Sequence, residues 1–184
     1  MQDSSSDPVT NIVYQQIKRG IRFTLENECW GAAVILIFAG VDAMAYLNMP
    51  ANQEDVTRTD FVDWAERYIH FPCEEQLTGL ELYSARCGML HTYSTFSRLT
   101  REGGCRVIGY TDEMYPEVRF NPEVSENLVL VSIPALAQAF FNGVDQFLIN
   151  LFADNERVRL TEHRFNNIVQ TIPYERNNEG RLIQ

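Results

Sequence analysis

The chain has 184 residues, of which 45% are hydrophobic and 22% charged, and its formal net charge is −10 at pH 7. This composition supplies enough apolar side chains for a buried core and excludes an intrinsically disordered chain. The 25 acidic residues outnumber the 15 basic ones, which disfavours a broad electrostatic footprint on nucleic acid or on an anionic membrane. The length predicts a single domain over residues 1–184, and any contact with RNA has to be local.

Four helices are predicted in the first half of the chain, each from apolar residues at helical spacing. They cover about residues 9–27, 30–47, 60–71 and 75–101. The second is apolar on nearly every face, so we expect it to be the helix around which the others pack. Asp7-Pro8 is typical of a helix start, and Gly103-Gly104 is a stop signal for the fourth helix.

The period of the apolar pattern changes after residue 104. Two short β-branched runs, 105–110 and 127–132, predict a two-stranded β element within residues 105–132. Pro134 then starts a long amphipathic helix, and a short last helix is predicted near 161–171, so that residues 134–172 form C-terminal helices. The predicted fold class is therefore mainly α: a bundle of about four core helices within 9–101, a small β element and additional C-terminal helices.

The cysteines and the N-terminus indicate a cytoplasmic protein. Cys29, Cys73, Cys87 and Cys105 form no disulfide framework by their spacing, which is typical of a reducing compartment. Residues 1–8 contain neither a basic run nor an apolar stretch of the kind that a secretion signal has.

No membrane span is expected either. The most apolar stretch, residues 30–49, is almost long enough to cross a bilayer, but Asp42 lies inside it. A buried central helix is therefore the favoured interpretation of this stretch.

One pair of residues in the fourth helix is a candidate catalytic or ligand-binding site. Arg86 and His91 are ionisable groups among small or apolar neighbours, and four residues separate them. On a helix they are about 140° apart, so they flank a cleft rather than stack. Gly88 lies between them and leaves room for a ligand or a second helix to approach. This pairing suits phosphodiester chemistry, in which His transfers a proton and guanidinium binds the phosphate oxygens.

The helix with its Arg and His resembles the HEPN superfamily, whose helical bundles carry an Arg, about four to six further residues and a His. The resemblance covers about residues 9–101 and implies a homodimer in which two copies of the motif face each other. It also implies RNA cleavage or nucleotide binding without a metal or another cofactor. Carried over by position, Arg86 binds phosphate and His91 transfers the proton. Cys87 stands where the family often has Asn, Asp or His.

Two other interpretations remain open at this stage. The stretch Arg157-Val-Arg-Leu-Thr-Glu-His163 also has the spacing, although it is polar and expected to be exposed. Alternatively the protein is a non-catalytic helical interaction or dimerisation module. In that case Arg86 pairs with a carboxylate inside the bundle and His91 is a hydrogen-bonded core histidine.

Asp42 and Tyr83 are the candidate supporting residues. A carboxylate in the most apolar helix is costly unless it is paired, and Arg86 is its predicted partner. Such a pair either holds Arg86 in a catalytic or binding pose or is a structural ion pair. Tyr83 lies one turn before Arg86 and offers a further hydrogen bond.

A metal site is not expected, although His70, Cys73, Cys87 and His91 are zinc-type ligands in two pairs. With a helix starting near Glu75, the two pairs are about 15–18 Å apart, beyond shared coordination.

A local positive path is the last candidate feature. Arg98, Arg101 and Arg106 continue from the fourth helix into the first strand. They suit the guidance of an RNA backbone, but neighbouring acids that balance them are the favoured interpretation.

Overall fold

The computed structural model describes residues 9–165 and 167–168, and it is mainly α, as the sequence predicts. The first helical stretch is a π-helix, Val9–Lys18, which continues into α1, Arg19–Glu26. The other helices are α2 (Trp30–Asn48), α3 (Arg58–Tyr68), α4 (Gly79–Thr92), α5 (Arg98–Arg101), α6 (Ile133–Phe152) and α7 (Asn155–Phe165). The strands are β1 (Val107–Thr111), β2 (Val118–Phe120) and β3 (Leu128–Ser132).

α2 is the central helix of the bundle. It contacts α1, α3, α4, α6 and α7, and its buried residues occur on several faces. Within the described residues it is the one helix long and apolar enough to cross a membrane, with a mean hydropathy of 1.8, yet half of that stretch is buried in the protein. A helix surrounded by other helices is apolar all round because each face meets a neighbour.

Aromatic side chains hold α3 against α6. The ring of Trp64 lies 5.2 Å from that of Tyr68 and 6.1 Å from those of Phe140 and Phe147, measured between centroids. A Cβ at Gly143 would collide with the backbone carbonyl of Tyr68, so the two helices approach closely only because that position is glycine. The packing places α3 and α6 around α2, which both contact.

The first helix is tied to α6 by an ion pair that sequence reasoning missed. Lys18, the single lysine of the chain, ends the π-helix, and its Nζ donates to Asp145 Oδ1 at 2.5 Å. The Lys18 side chain is 2% exposed and that of Asp145 is 51% exposed. The Tyr14 hydroxyl donates to the same carboxylate oxygen, and Lys18 Nζ also lies 5.5 Å from the centroid of the Phe141 ring.

The predicted fourth helix over 75–101 is wrong in its bounds. The helix starts only at Gly79, because Thr78 and Glu81 form a capping box in which each side chain accepts from the other's backbone N–H. It ends at Thr92, and the C-cap residue Tyr93 has a left-handed backbone with φ 51°. A separate short helix, α5, follows with Ser97 as its N-cap.

The β element has three strands within the described residues, where the sequence predicts two. β3 lies in the middle, paired in parallel with β1 and antiparallel with β2. β2 has only three residues, Val118–Phe120, which is too short for a period of two to stand out from loop sequence. The two predicted strands are therefore neighbours, but not a simple hairpin.

The last predicted helix is also shifted. α7 begins at Asn155, and the predicted helix near 161–171 overlaps it only up to Phe165. The remainder of that prediction falls largely on residues 166 and 169–171, which lie outside the described residues. α7 packs against α2 and α6, so that it lies beside the end of the central helix.

Candidate functional site

The predicted partnership of Asp42 and Arg86 is confirmed. α2 supplies Asp42 and α4 supplies Arg86, whose Nε donates to Asp42 Oδ2 at 2.9 Å. Nη2 of Arg86 lies 2.9 Å from the same oxygen. The two side chains are 24% and 26% exposed, so the pair lies at the edge of the core with part of each group open to solvent.

Burial and pairing act in opposite directions on these two groups. Burial raises the pKa of the Asp42 carboxyl above its usual range, and the hydrogen bond and charge of Arg86 only partly offset this rise. Burial acts to lower the pKa of Arg86, but its hydrogen bond to Asp42 and the charge of that carboxylate raise it overall. Arg86 is therefore a fixed cation beside a carboxyl that takes up a proton more readily than an ordinary Asp.

The aromatic ring of Tyr83 lies beside the Arg86 guanidinium. The Arg86 guanidinium carbon lies 6.0 Å from the centroid of the Tyr83 ring, and that of Arg58 lies 5.6 Å from it. The Tyr83 ring also packs edge to face against the Phe61 ring, with 5.5 Å between centroids. Burial raises the pKa of the Tyr83 hydroxyl, and neighbouring Cys87 adds to the rise through its charge and a hydrogen bond. Sequence reasoning missed Arg58, because nothing in the local pattern of α3 sets it apart.

His91 lies on the exposed last turn of α4. The interpretation of His91 as a hydrogen-bonded core histidine is wrong, because the residue is open to solvent and its side chain makes no hydrogen bond or ion pair within the described part of the chain. Five positions along an α-helix separate it from Arg86 by about 7.5 Å of rise and about 140° of rotation. The structure therefore brings Asp42, Arg86 and Tyr83 together and leaves His91 on a neighbouring exposed surface.

The segment after His91 displays two aromatic rings. Tyr93 is 64% exposed and Phe96 is 54% exposed. The Tyr93 ring lies over Gly31 of α2, where a Cβ would collide with its hydroxyl oxygen. Aromatic residues in a run of Ser and Thr directly after His91 are a signal that sequence reasoning passed over.

The role first given to Gly88 is wrong. The space at its missing side chain is filled by the backbone carbonyls of Ser94 and Phe96 and not by a ligand or a second helix. The Ser94 amide also donates to the Gly88 carbonyl at 3.2 Å. Gly88 thus lets the chain fold back over α4 and fixes the segment that carries the two aromatic rings.

The zinc-type residues do not converge. The Cys73 thiol donates a hydrogen bond to the carbonyl of Glu75, and His70 Nε2 lies 3.1 Å from the Arg67 carbonyl. Within residues 9–165 and 167–168, no three His, Cys, Asp or Glu side chains are arranged to hold a metal ion.

The proposed positive path is largely balanced by acids, as the sequence analysis favoured. Arg106 donates to Glu81 at 2.5 Å and to Glu75 at 2.8 Å. Arg98 lies 3.6 Å from Glu102 on an exposed turn. Arg106 is therefore part of a structural network, and these side chains do not form a continuous cationic surface.

Arg157 and His163, the second pair with the Arg and His spacing, lie in different surroundings. Arg157 donates to Asn48 Oδ1 at 2.7 Å and so holds α7 against the end of α2. His163 is exposed on the last turn of the same helix. Arg157 therefore has a structural contact that accounts for it.

A comparison with protein-family models, with curated proteins and with solved structures finds no match to this chain.

Proposed function

We propose that this chain is a HEPN-like protein that cleaves RNA or binds a nucleotide, with Arg86 and His91 at the site. The observation that carries the proposal is that Arg86, in a partly exposed ion pair with Asp42, lies on the same helix as an exposed His91. A guanidinium held by a carboxylate has a defined pose, and it carries further N–H donors, beyond the two directed at Asp42, of the kind that bind a phosphate oxygen.

The roles of the two groups follow from phosphodiester chemistry. His91 takes the proton of a ribose 2′-hydroxyl as its oxygen forms a bond to phosphorus. The bond from phosphorus to the 5′-oxygen breaks with its electron pair on that oxygen, which leaves with the proton that His91 took up. The products are a 2′,3′-cyclic phosphate and a 5′-hydroxyl, and Arg86 stabilises the charge that develops on the phosphate oxygens.

A homodimer fits this arrangement better than a single copy. Arg86 and His91 are about 140° apart on one helix, so one phosphate is reached more easily by Arg86 of one protomer and His91 of the other. We accordingly infer a composite cleft between two copies of α4, in a cytoplasmic protein that needs no metal for the reaction.

The exposed rings of Tyr93 and Phe96 favour RNA as the ligand of this cleft. Unstacked bases of single-stranded RNA bind on exposed aromatic side chains, and these two rings lie two and five residues after His91 in the sequence. Stacking adds affinity without positive charge, which suits a chain with a net charge of −10.

The test is cleavage of a mixed RNA pool in the presence of EDTA. We expect His91→Gln and Arg86→Gln to lose at least about a hundredfold in rate, because each removes a group that acts in the transition state. His70→Gln is the matched control, since His70 is also exposed and lies outside the site. Cleavage that is unchanged in both site variants would overturn the proposal.

The alternative is a non-catalytic interaction or dimerisation module, and the structural ion pair of Arg86 is the observation that favours it. It predicts that the wild type neither binds nor cleaves RNA and that Arg86→Gln lowers the melting temperature. It also predicts no effect of His91→Gln on stability, because the exposed His91 side chain makes no hydrogen bond or ion pair within the described residues.

A further inference from the structure

A second candidate site lies at the C-terminal end of α2, where the loop after this helix meets α7. A cavity of about 410 Å³ opens there. Arg159, His163 and Arg164 of α7 line it, and among the described residues Glu54 is the one carboxylate in its lining. Such a local excess of basic groups stands out in a chain whose net charge is −10.

Arg164 is the buried member of this group. Its side chain is 6% exposed, and its Nη1 and Nη2 donate to the backbone carbonyls of Met49 and Pro50, the latter at 2.8 Å. The guanidinium carbon also lies 5.9 Å from the centroid of the Tyr46 ring. Burial lowers the pKa of this guanidinium.

The two carbonyls explain where Arg164 lies but not how its charge is balanced. They follow the end of α2, where a cation is favoured by the helix dipole. However, carbonyls are uncharged, and no carboxylate lies within 4.0 Å of Arg164 in the described part of the chain. A buried charge without a counter-ion is costly. Guanidinium has five N–H donors, so several remain for a ligand in the cavity.

We propose that this cavity binds the phosphate group of a small phosphorylated molecule. Arg159 and His163 are four residues apart on α7, so they project from the same side of the helix, and both are exposed at the cavity. Arg164 meets the phosphate from inside, where an anion supplies the missing counter-charge. The planar fork of guanidinium matches the oxygens of a phosphate, and the cavity has the size of a small-molecule site.

Calorimetric titration tests this proposal, with inorganic phosphate and adenosine 5′-monophosphate as probes and adenosine as the uncharged control. We expect both phosphates to bind and adenosine not to bind. Arg159→Gln removes a charged donor from the rim of the cavity and His163→Gln removes a ring N–H donor, and each should weaken binding at least about tenfold. Arg101→Gln is the matched control, because it removes an exposed arginine from α5, away from the cavity.

Arg164→Lys tests the buried position separately. It keeps the charge but loses the forked geometry, so we expect weaker phosphate binding at an unchanged fold, monitored by circular dichroism. If that variant unfolds, the two rim variants still decide the matter.

Three outcomes would overturn the proposal. One is no binding of either phosphate up to about 10 mM, and another is equal binding by wild type and both rim variants. The third is loss of phosphate binding in Arg86→Gln with retention in Arg159→Gln, which would place the phosphate at the ion pair with Asp42. Phosphate binding that survives Arg86→Gln shows that this site is independent of the proposed RNA site.

Discussion

Arg86 of α4 and Asp42 of α2 meet through a single carboxylate oxygen, with Nε and Nη2 of Arg86 both 2.9 Å from Asp42 Oδ2. The pair therefore joins the central helix to the helix that carries the candidate site. About a quarter of each side chain is open to solvent, so it is neither a sealed core pair nor a surface pair.

A double-mutant cycle on this pair should show that the Arg86→Gln variant is less stable to unfolding than the double variant that lacks both charges. Arg86→Gln leaves the Asp42 carboxylate partly buried without its cation, and we expect a loss of about 1–3 kcal/mol in the free energy of unfolding. Asp42→Asn with Arg86→Gln should recover part of that loss, because neither neutral amide strands a charge. Urea unfolding of the four proteins at pH 7 measures the coupling. Additive effects of the two substitutions would show that the ion pair contributes nothing.

The pH dependence of stability should carry a signature of Asp42. Burial holds the pKa of Asp42 in the folded protein above the ordinary 3.8, so the folded chain binds more protons than the unfolded chain between those two values. The contribution of Asp42 to the free energy of unfolding therefore falls as pH rises above 3.8 and is constant once the raised pKa is passed. We therefore expect the free energy of unfolding of the wild type, minus that of Asp42→Asn, to fall as pH rises through that interval. Urea unfolding repeated across pH measures it.

Asp60 provides a control of opposite sign. Burial acts to raise its pKa, but hydrogen bonds from the Thr57 side chain and backbone and from Gln53 lower it below 3.8 overall. The stability that Asp60 contributes is present above 3.8 and is lost as pH falls through its lowered pKa. The free energy of unfolding of the wild type, minus that of Asp60→Asn, should therefore increase as pH rises from the lowered pKa of Asp60 to 3.8. Slopes of the same sign for both variants would contradict the two pKa directions.

The partner of Asp42 was predictable from sequence because both residues interrupt apolar surroundings. A lone carboxylate in the most apolar helix needs a cation, and Arg86 is a cation flanked by small and apolar residues. Such reasoning uses only local composition and the cost of a buried charge, and the structure confirms it.

The end of α4 was not predictable in the same way. The helical spacing continues through Ser94 and Ser97, so the local pattern favours one long helix. The chain turns at Tyr93 because its ring lies on Gly31 of α2 and because the backbone after it packs on Gly88. Both contacts are tertiary, and no periodicity within the segment encodes them.

The Lys18–Asp145 ion pair should respond unequally to removal of its two partners. Asp145→Asn leaves the nearly inaccessible Lys18 ammonium without its carboxylate, and we expect a loss of about 2 kcal/mol in the free energy of unfolding. Lys18→Met keeps the buried volume and leaves Asp145 half exposed to water, so it should change stability by less than about 1 kcal/mol. Guanidinium unfolding measures both. A larger loss in Lys18→Met than in Asp145→Asn would contradict this account.

Gly88→Ala should destabilise the protein although alanine favours helix. The new Cβ would meet the backbone carbonyls of Ser94 and Phe96, which cannot move aside as a flexible side chain can. We expect a net loss of about 1–3 kcal/mol, seen by calorimetry as a fall in melting temperature of about 2–4 °C for each kcal/mol. Gly20→Ala in α1 is the control, because its Cβ would meet only Leu36 Cδ1 at 3.8 Å. That change should stabilise by up to about 1 kcal/mol through helix propensity alone. If Gly88→Ala were also stabilising, the segment 93–97 would not be held against α4.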